Sequence, residues 1–313
     1  METSVIIVNY NGKEHLKECF DSLKEQTYKS FEIIFVDNGS SDDSIEFTKK
    51  HYPSIKTIKN EKNEGFAKGN NIGIKQSSGK YIVLLNNDTK VSRDFLQELV
   101  QEAKENNEVG TVAPRIILYS DPTKLNSTGL ILFKDGVAKD RGFLEESNKQ
   151  FSKEIFGATA AAILYKKEML DDISVQGEYL DEDFFAYNED LDLSFRAQLR
   201  GWKCSYLKKP CVYHKINATS KKVPRLKLYW GTRNKLLFIM KTYPLEVLIR
   251  CFPTLFIRQI FSLIYYSTKP NFPVVLKARI DAFLLMPKMI KKRKKILAGR
   301  KVSNKEIMKW FEK

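Results

Sequence analysis

The stretch that most constrains the fold is an unbroken apolar run, Tyr81–Leu85, which gives way to three polar side chains, Asn86, Asn87 and Asp88. Such a run is typical of a strand buried on both faces of a parallel sheet. In open α/β sheets, ligands bind just beyond the carboxyl ends of the strands. We therefore expect these amide and carboxylate groups to face a bound ligand. In the alternative, Asp88 or Thr89 only caps the element that follows.

The same pattern recurs through the first part of the chain, where short apolar runs alternate with segments of helical spacing. The runs are Ser4–Val8, Phe31–Val36 and Ile55–Ile58, and the helical segments between them are Lys13–Gln26 and Ser44–Lys50. The stretch Asn63–Asn71 is expected to lead into a further helix that ends near Ser77–Gly79. Alternating strands and helices predict a doubly wound α/β layer.

Several classes of protein are disfavoured by motifs that the sequence lacks. No Gly-x-Gly-x-x-Gly follows the first strand and no Gly-x-x-x-x-Gly-Lys-Ser/Thr occurs, which argues against a dinucleotide oxidoreductase and a P-loop enzyme. The four cysteines form no Cys-x-x-Cys pair, which argues against a disulfide framework or a zinc site and fits a reducing compartment. The first residues show no basic segment followed by an apolar one, so we expect no signal peptide.

Without a glycine-rich phosphate loop, a nucleotide would have to be bound by side chains at the strand ends. Asp37 follows the second strand, where its carboxylate can accept hydrogen bonds from a base or a ribose, or can cap the turn. Gly65 and Gly69 either let a ligand approach the backbone or shape a turn. The small apolar run Phe156–Tyr165 allows either a close approach or tight core packing, and the turn-rich Asp121–Gln150 is expected beside the site.

A second chemically distinctive segment, Asp181–Asp192, contains six acidic residues within twelve positions. Helical spacing predicts a helix over Glu189–Leu199, and a carboxylate in its first turn interacts favourably with the helix dipole. Asp190 is therefore either a cap or a general base poised over an acceptor hydroxyl. Such clustering of acids is costly unless cations or hydrogen-bond donors meet it. His214, one of three histidines, is either structural or a metal ligand.

The positive charge of the chain is confined to its last third. Residues 216–313 hold 23 Lys and Arg against four Asp and Glu, whereas residues 1–215 hold 30 against 34. This asymmetry indicates an anionic partner for the tail, either a membrane surface or nucleic acid. Nucleic acid is disfavoured because no known binding module is visible and the rest of the chain is not basic.

Two segments of the tail favour the membrane. Tyr243–Tyr266 is strongly apolar, but charged residues and Pro253 interrupt it, whereas a spanning helix needs about 20 predominantly apolar residues. We therefore expect an interfacial or re-entrant helix there. Lys277–Lys295 combines an apolar face with a polybasic run, as peripheral membrane anchors do. The alternative is an amphipathic helix that packs on the rest of the protein.

Taken together in order and spacing, motifs between about residues 3 and 215 resemble family 2 glycosyltransferases, and within them the rhamnosyltransferase-like cell-surface polysaccharide subgroup. The motifs are SVIIVNYN (4–11), VDNGSSD (36–42), NEGFAKGNN (63–71), LLNNDT (84–89), FGA (156–158) and FFAYNEDLD (184–192). Each is weak alone, but the ordered set is specific. The resemblance implies a GT-A fold, an α/β architecture with a Rossmann-like mixed sheet flanked by helices, here followed by a C-terminal basic amphipathic helical extension.

The resemblance also implies roles for individual residues. Asp190 would be the general base of an inverting sugar transfer, and Asp88 would bind Mg²⁺ or Mn²⁺, with His214 as a further metal ligand. Asn86 stands where the family has the first aspartate of its metal-binding motif, which removes one ligand charge. The residues that would bind the nucleotide of the donor are Val8, Asn9, Tyr10, Asp37, Asn38, Gly69, Asn70, Asn86 and Asn87.

These inferences combine into one hypothesis for the whole chain. We expect a catalytic domain at residues 1–222, with a nucleotide-sugar half at about 1–115 and an acceptor half at about 116–222, and a helical membrane-associating region at 223–313. The enzyme would move a sugar from a dTDP- or UDP-sugar to a lipid-linked or glycan acceptor, at the inner, cytoplasmic face of the cell membrane. The alternatives are a nucleotidyltransferase and a non-catalytic sugar-nucleotide-binding protein.

Overall fold

The centre of the molecule is a mixed β-sheet in the computed structural model, which describes residues 1–216 and 224–312. The strands are β1 (Thr3–Asn9), β2 (Phe31–Asp37), β3 (Lys56–Lys59), β4 (Tyr81–Leu85), β5 (Thr89–Val91), β6 (Val109–Leu118), β7 (Leu125–Ser127), β8 (Leu130–Phe133), β9 (Ala138–Asp140), β10 (Glu154–Ile155), β11 (Ala162–Lys166), β12 (Lys203–His214) and β13 (Phe311–Glu312). The central sheet has the order β10-β12-β6-β11-β4-β1-β2-β3, with β5 paired to β12 and β7 to β6. A small second sheet has the order β13-β8-β9.

Helices cover the sheet and form the C-terminal part of the chain. They are α1 (Lys13–Lys24), α2 (Ser44–His51), α3 (Gly65–Lys75), α4 (Phe95–Glu105), α5 (Lys167–Ile173), α6 (Glu189–Leu199), α7 (Pro224–Thr242), α8 (Leu245–Ser267), α9 (Phe272–Ala298) and α10 (Asn304–Met308). A single 3₁₀ turn at Glu182–Phe184 precedes α6. The predicted α/β layer and the predicted C-terminal helices are therefore both confirmed.

The polar ends of three strands meet at one edge because β1 runs parallel to both of its neighbours. The register places Asn9 beside Asp37 on β2 and Ile6 beside Leu84 on β4. Residues at the carboxyl ends of these strands consequently lie side by side. β11 then enters antiparallel to both β4 and β6, which makes the sheet mixed.

The helix α3 begins earlier than the sequence predicts. The sequence places Asn63–Asn71 ahead of this helix, and this is wrong because the helix starts at Gly65. Glycine and asparagine are weak helix formers, which hides the helix in the sequence. Packing decides the outcome: a Cβ at Gly69 would lie 2.8 Å from a methyl of Val8, and one at Gly73 would lie 2.4 Å from a methyl of Ile6. The two glycines let α3 lie directly on β1.

The C-terminal helices share a hydrophobic core with α6. The ring of Phe195 on α6 stacks on Tyr243, with centroids 5.3 Å apart, and meets Phe238 and Phe311 edge-on. Phe311 also pairs with Leu132 in the small sheet, so β13 returns to the first part of the chain. The tail therefore packs on the sheet-containing part. The predicted domain boundary at residues 222–223 lies outside the described residues, and that division stays a prediction.

Two lysines of the tail reach into the acidic segment before α6, and only 1% of each side chain is exposed. Lys241 of α7 contacts Asp181 at 2.6 Å and Asp192 at 2.5 Å. Lys292 of α9 contacts Asp181 at 2.6 Å and Asp183 at 2.8 Å. Buried charges are tolerated where opposite charges pair with them. Half of the six clustered acids therefore serve the structure rather than a reaction.

The pairing changes the titration of both partners. Burial raises the pKa of Asp181, but Lys241 and Lys292 lower it more, so the pKa lies well below its ordinary value. Burial lowers the pKa of Lys292, but Asp181 raises it more, so this lysine stays charged at neutral pH. Arg196 extends the network through an ion pair with Asp192 at 2.9 Å. The network joins α6, α7 and α9.

A broad apolar surface, here termed the apolar outer face, is left exposed on α8 and α9. Within residues 1–216 and 224–312, α8 is the one helix long and apolar enough to cross a membrane, by length and composition alone. Only 17% of its most apolar stretch is buried in the protein, and Pro253 lies inside the helix without ending it. The large side chains of the apolar outer face include Ile249, Phe252, Phe256, Ile260, Phe261 and Ile264 of α8 and Leu276, Ile280, Phe283 and Leu284 of α9.

Replacing Lys292 by methionine should destabilise the fold far more than the same change at Lys288, one turn earlier on α9. Lys288 also contacts Asp183, at 2.6 Å, but 49% of its side chain is exposed. Lys292→Met leaves Asp181 buried with one cation fewer, at a cost of about 3–5 kcal/mol, whereas loss of the exposed pair costs roughly 0–1 kcal/mol. Chemical denaturation of both variants at neutral pH measures the difference.

The stability that Lys292→Met loses relative to the wild type should also depend on pH. Because the pKa of Asp181 is lowered in the fold, its contribution to stability is complete above the ordinary aspartate pKa of about 4 and is lost as the pH falls below it. The gap in unfolding free energy between Lys292→Met and the wild type should accordingly shrink under acid conditions. Equal stability of the two methionine variants at neutral pH would contradict the structural role of Lys292.

Candidate active site

The end of β12 brings His214 next to Asp88. β12 runs antiparallel to β5, and the register places His214 opposite Thr89, the residue after Asp88. Nε2 of His214 lies 3.2 Å from Oδ1 of Asp88. Burial raises the pKa of Asp88, but the hydrogen bond and charge of His214 lower it more, so the pKa lies below its ordinary value. The structure thus brings together the two predicted metal ligands.

Asn126 of β7 fixes which nitrogen of His214 faces Asp88. Its Oδ1 lies 2.7 Å from Nδ1 of His214, so Nδ1 carries the proton that this oxygen accepts. Nε2 of His214 then faces the Asp88 carboxylate and carries either a second proton or a lone pair. If it carries a lone pair, a cation bound between Nε2 and the carboxylate would stabilise the arrangement. No group of three or more His, Cys, Asp and Glu able to hold a metal occurs within 1–216 and 224–312. Asp88 supplies a carboxylate of the kind that holds Mg²⁺, which takes few protein ligands and completes its shell with water and phosphate oxygens.

Asn9, at the end of β1, ties the polar turns at the strand ends together. The residue is fully buried. Its Nδ2 lies 3.0 Å from Oδ2 of Asp37, 3.1 Å from Oγ of Ser40 and 3.0 Å from Oγ of Ser44. Its Oδ1 accepts a hydrogen bond from Nδ2 of Asn87 at 2.6 Å. The turn after β4 is thereby held in place against the turn after β2.

Several predicted nucleotide-binding side chains are used inside the protein. Asp37 is fully buried, and its two oxygens accept hydrogen bonds from Asn9 and from a backbone N–H of the following turn. Asn38 and Asn70, each about 1% exposed, donate to backbone carbonyls of α3 at 2.9 Å. In this arrangement these side chains bond to other parts of the protein and present little surface. For Asp37 this matches the turn role that the sequence left open.

The other predicted nucleotide-binding residues differ in how much surface they retain. Gly69 is buried against Val8 and serves helix–strand packing. Tyr10 is exposed, and Asn86 is partly exposed while its backbone N–H donates to Ala161 at 2.8 Å. The predicted residues that keep surface for a ligand are Val8, Tyr10, Asn86 and Asn87.

Asp190 lies in the first turn of α6, where two backbone N–H groups hold its carboxylate. Oδ1 accepts from Leu191 at 2.7 Å, and Oδ2 accepts from Ala160 at 3.3 Å. Burial raises the pKa of Asp190 to about 6; the two N–H groups oppose this rise and the charge of Asp140 adds to it. A carboxylate that changes protonation near neutral pH is suited to general base catalysis.

The segment 157–161 connects Asp190 to the turn that holds Asp88. While Ala160 donates to Asp190, the next residue, Ala161, accepts the backbone N–H of Asn86 at 2.8 Å. A Cβ at Gly157 would come within 2.3 Å of the side chain of Ser194 on α6. Of the two interpretations left open for this apolar run, the structure therefore supports tight packing, and the packing joins α6 to the strand ends.

Two further acidic side chains lie beside Asp190. Glu189 is 6% exposed, and its Oε2 has no hydrogen-bond partner among the described residues. Burial and the charge of Asp190 raise the pKa of Glu189 well above its ordinary value. Oδ1 of Asp140, on β9, also has no hydrogen-bond partner among the residues that the structure describes. Burial raises the pKa of Asp140. The site thus contains three carboxyl groups with raised pKa values.

Sequence reasoning missed residues that act through contacts distant in the chain. Asn126 and Asp140 lie in the turn-rich region that was expected beside the site, but no local pattern distinguishes them from other polar turn residues. Ala160 acts through its backbone N–H, which leaves no side-chain signal. The cations Lys241 and Lys292 were interpreted only as part of a basic tail. Each of these residues could be identified only from three-dimensional contacts.

The comparison with known families agrees with this geometry. The family model described as glycosyl transferase family 2 matches residues 4–174. The chain belongs to this family. The predicted family is therefore confirmed, whereas nothing distinguishes the rhamnosyltransferase-like subgroup within it.

Relatives within the family cover different parts of the chain. EpsH of Bacillus subtilis is 23% identical over 233 residues, which cover 70% of this chain and 63% of EpsH. The poly-β-1,6-N-acetyl-D-glucosamine synthase of Staphylococcus epidermidis is 27% identical over 207 residues, covering 65% of this chain and 47% of the synthase. The chain thus spans less than two thirds of the length of either curated relative.

Solved structures share the fold over nearly the whole chain. TarS 1–349 of S. aureus superposes with a TM-score of 0.58 at 19% identity, covering 96% of this chain and 89% of that TarS fragment. GalNAc-T7, crystallised with UDP, GalNAc and Mn²⁺, superposes with a TM-score of 0.67 at 14% identity, covering 99% of this chain and 56% of GalNAc-T7. At these identities the likeness concerns the fold alone, and the predicted GT-A fold is confirmed.

Proposed function

We propose that the protein is an inverting glycosyltransferase that moves a sugar from a nucleotide-diphospho-sugar to a hydroxyl of a glycan or lipid-linked acceptor. The observation that carries the proposal is the carboxylate of Asp190, held by two backbone N–H groups with its pKa raised to about 6. Membership in glycosyl transferase family 2 supports it. Similarity to a poly-N-acetylglucosamine synthase favours a role in making cell-surface polysaccharide.

In the proposed reaction, Asp190 accepts the proton of the acceptor hydroxyl as the hydroxyl oxygen attacks the anomeric carbon. Attack comes from the face opposite the nucleoside diphosphate, so the configuration at that carbon is inverted. The N–H groups of Leu191 and Ala160 keep the carboxylate in place during the transfer. Asp88 and His214 would hold Mg²⁺ or Mn²⁺, which supplies the positive charge that a departing diphosphate needs.

The donor proposed for the first assays is a UDP- or dTDP-sugar. TarS has been crystallised with UDP and GalNAc-T7 with UDP and Mn²⁺. The resemblance to the rhamnosyltransferase-like subgroup adds dTDP-rhamnose as a donor to be tested. Val8, Tyr10, Asn86 and Asn87 are the residues proposed to contact the nucleotide directly, since they retain exposed surface.

Calorimetric titration of UDP- and dTDP-sugars, with and without Mn²⁺, tests the donor site. We expect binding that requires the metal and is lost in Asp88→Ala, because this change removes the one carboxylate of the pair. Asp94→Ala is the matched control, since Asp94 is a partly exposed carboxylate just beyond β5 whose ion-pair partner, among the residues that the structure describes, is surface Lys209. Absence of binding by every nucleotide sugar tested, with metal present, would remove the enzyme proposal.

Asp190→Asn should abolish transfer while leaving donor affinity nearly unchanged. Loss of a general base typically lowers the rate by about 10²–10⁴-fold, and the amide keeps the size of the carboxylate. In the wild type, kcat should fall as the pH drops below about 6, because protonated Asp190 cannot accept a proton. Of the groups around it, burial raises the pKa of Glu189, Asp140 and Tyr165, and Tyr165 stays protonated through this range. Near-normal turnover of Asp190→Asn would show that another group is the base.

The reaction products separate the alternatives. A glycosyltransferase releases a nucleoside diphosphate, a nucleotidyltransferase releases inorganic diphosphate, and a binding protein releases neither. Chromatography of two reactions distinguishes all three: one contains acceptor, metal and a labelled nucleotide sugar, and the other contains metal, a sugar 1-phosphate and a labelled nucleoside triphosphate.

The apolar outer face of α8 and α9 is proposed to lie in the anionic surface of the cell membrane, on its cytoplasmic side. The face carries large apolar side chains, such as Phe283 and Leu284, each 68% exposed. Exposed lysines on α9, Lys291, Lys294 and Lys295, add charge that is complementary to anionic lipid. Two arginines on α8 are mostly exposed, which suits a helix lying in the interface, where long cationic side chains can reach water.

Sedimentation with lipid vesicles tests this surface. The double variant Phe283→Glu and Leu284→Glu should bind vesicles containing phosphatidylserine far less than the wild type, because two charges would enter the apolar layer. The matched control is Phe143→Glu with Leu144→Glu, which changes an exposed apolar pair of the same kind in the turn after β9. Wild-type binding should weaken on neutral vesicles. Equal sedimentation of both double variants would refute the membrane role of the apolar outer face.

A further inference from the structure

The segment 184–188, between the 3₁₀ turn and α6, has an unusually strained backbone. Phe185, Tyr187 and Asn188 have φ values of +63°, +70° and +70°. Asparagine tolerates this region, whereas phenylalanine and tyrosine rarely adopt it. Phe185 also has ψ of −64°, and Ala186 donates to the carbonyl of Phe184 at 2.7 Å, which is the rare and strained form of the γ-turn. Such a conformation persists only where surrounding contacts hold it.

One side chain of α7, Asn234, supplies three hydrogen bonds to this segment. Asn234 is fully buried. Its Nδ2 lies 2.8 Å from each of three backbone carbonyls, those of Phe184, Ala186 and Tyr187. An amide group has two hydrogens, so at least one of them is shared between two carbonyls. A single donor group therefore gathers three carbonyl oxygens, which fixes the path of the strained segment.

Arg233, the neighbouring residue on α7, orients that amide. Nε of Arg233 donates to Oδ1 of Asn234 at 3.0 Å, which turns Nδ2 towards the carbonyls. The same guanidinium donates to the carbonyl of Asp183 and lies over the ring of Trp230, 4.4 Å from its centroid. Trp230 in turn stacks on Phe185, with centroids 5.0 Å apart. α7 thus holds both the backbone and a side chain of the segment.

The held segment touches both halves of the candidate site. On one side, the carbonyl of Phe185 accepts from Ala67 of α3 at 3.1 Å, and a Cβ at Gly65 would come within 2.6 Å of Phe185. On the other side, the carbonyl of Asn188 accepts the N–H of Asp192 at 2.9 Å and begins α6. The first turn of α6 carries Asp190, so a shift of the segment moves the carboxylate relative to the strand ends.

We propose that Asn234, oriented by Arg233, is a positioning residue: it holds segment 184–188 in the strained conformation that presents Asp190 to the acceptor hydroxyl. The inference rests on the role proposed above for Asp190. Helix α7 of the C-terminal region would then take part in the reaction indirectly. Asn234 contacts the backbone of segment 184–188 and not the substrate. A small displacement of a reacting group can cost about 100-fold in rate.

Steady-state kinetics of Asn234→Ala test the proposal against a matched control. Gln26→Ala removes another fully buried amide that makes three hydrogen bonds to backbone groups, at the junction of α1 and α4. Both variants lose comparable packing and hydrogen bonding. We expect Asn234→Ala to lower kcat about 100-fold with the donor KM within about twofold of the wild type, and Gln26→Ala to keep kcat within about threefold.

Arg233→Lys provides a second test should Asn234→Ala fail to fold. It keeps a positive charge and the amide of Asn234 but removes the donor that orients the amide, and we expect kcat to fall about tenfold at constant donor KM. A near-normal kcat in Asn234→Ala would overturn the positioning role and leave the proposed function standing. If Asn234→Ala does not fold, a near-normal kcat in Arg233→Lys would have the same meaning. An equal loss in Gln26→Ala would also overturn it, because the effect would then reflect stability. A wild-type protein without transfer activity would overturn both proposals together.

Discussion

The buried ion pairs between Asp181 and the two tail lysines, Lys241 and Lys292, are the constraint on which the rest of the structure depends. Removing charges from water is costly, and the cost is offset only by close opposite charges. The acidic segment before α6 could not be buried against the sheet without these cations. The tail helices α7 and α9 are therefore part of the core that packs against α6. Some basic residues of the tail are buried in ion pairs, while others lie on the surface.

The polar residues at the sheet edge are of two kinds: some form hydrogen bonds inside the protein, and others keep exposed surface. Asn9 holds two turns together through hydrogen bonds to Asp37 and Asn87, and all of this is internal to the protein. Asp88 and His214 form a separate pair, which is the cation site proposed above. A buried hydrogen-bonded frame of this kind lets the few exposed side chains keep fixed positions, which is how a binding site avoids reorganisation when a ligand arrives.

The sequence predicts those elements whose signal is local. Tyr81–Leu85 and Glu189–Leu199 form a strand and a helix with the expected bounds, because burial on both faces and helical spacing are written in neighbouring residues. The start of α3 escaped prediction because its glycines are selected for close packing on β1, against their own helix propensity. The site follows the same rule: Asp88, His214 and Asp190 came from motifs of a known family, whereas the partners that orient them depend on contacts between distant parts of the chain.

The pairing of Phe311 with Leu132 has a consequence for the growing chain on the ribosome. Strands β1 to β4 all lie within the first 85 residues and pair with one another, so this part of the sheet can form before the tail is made. The core under α6 includes Tyr243 and Phe311, so it cannot be completed until the polypeptide has been synthesised to that point. A nascent chain consequently has these strands before the helix that carries Asp190 is fully packed. The surroundings of Asp190 are therefore completed only after the tail has been synthesised.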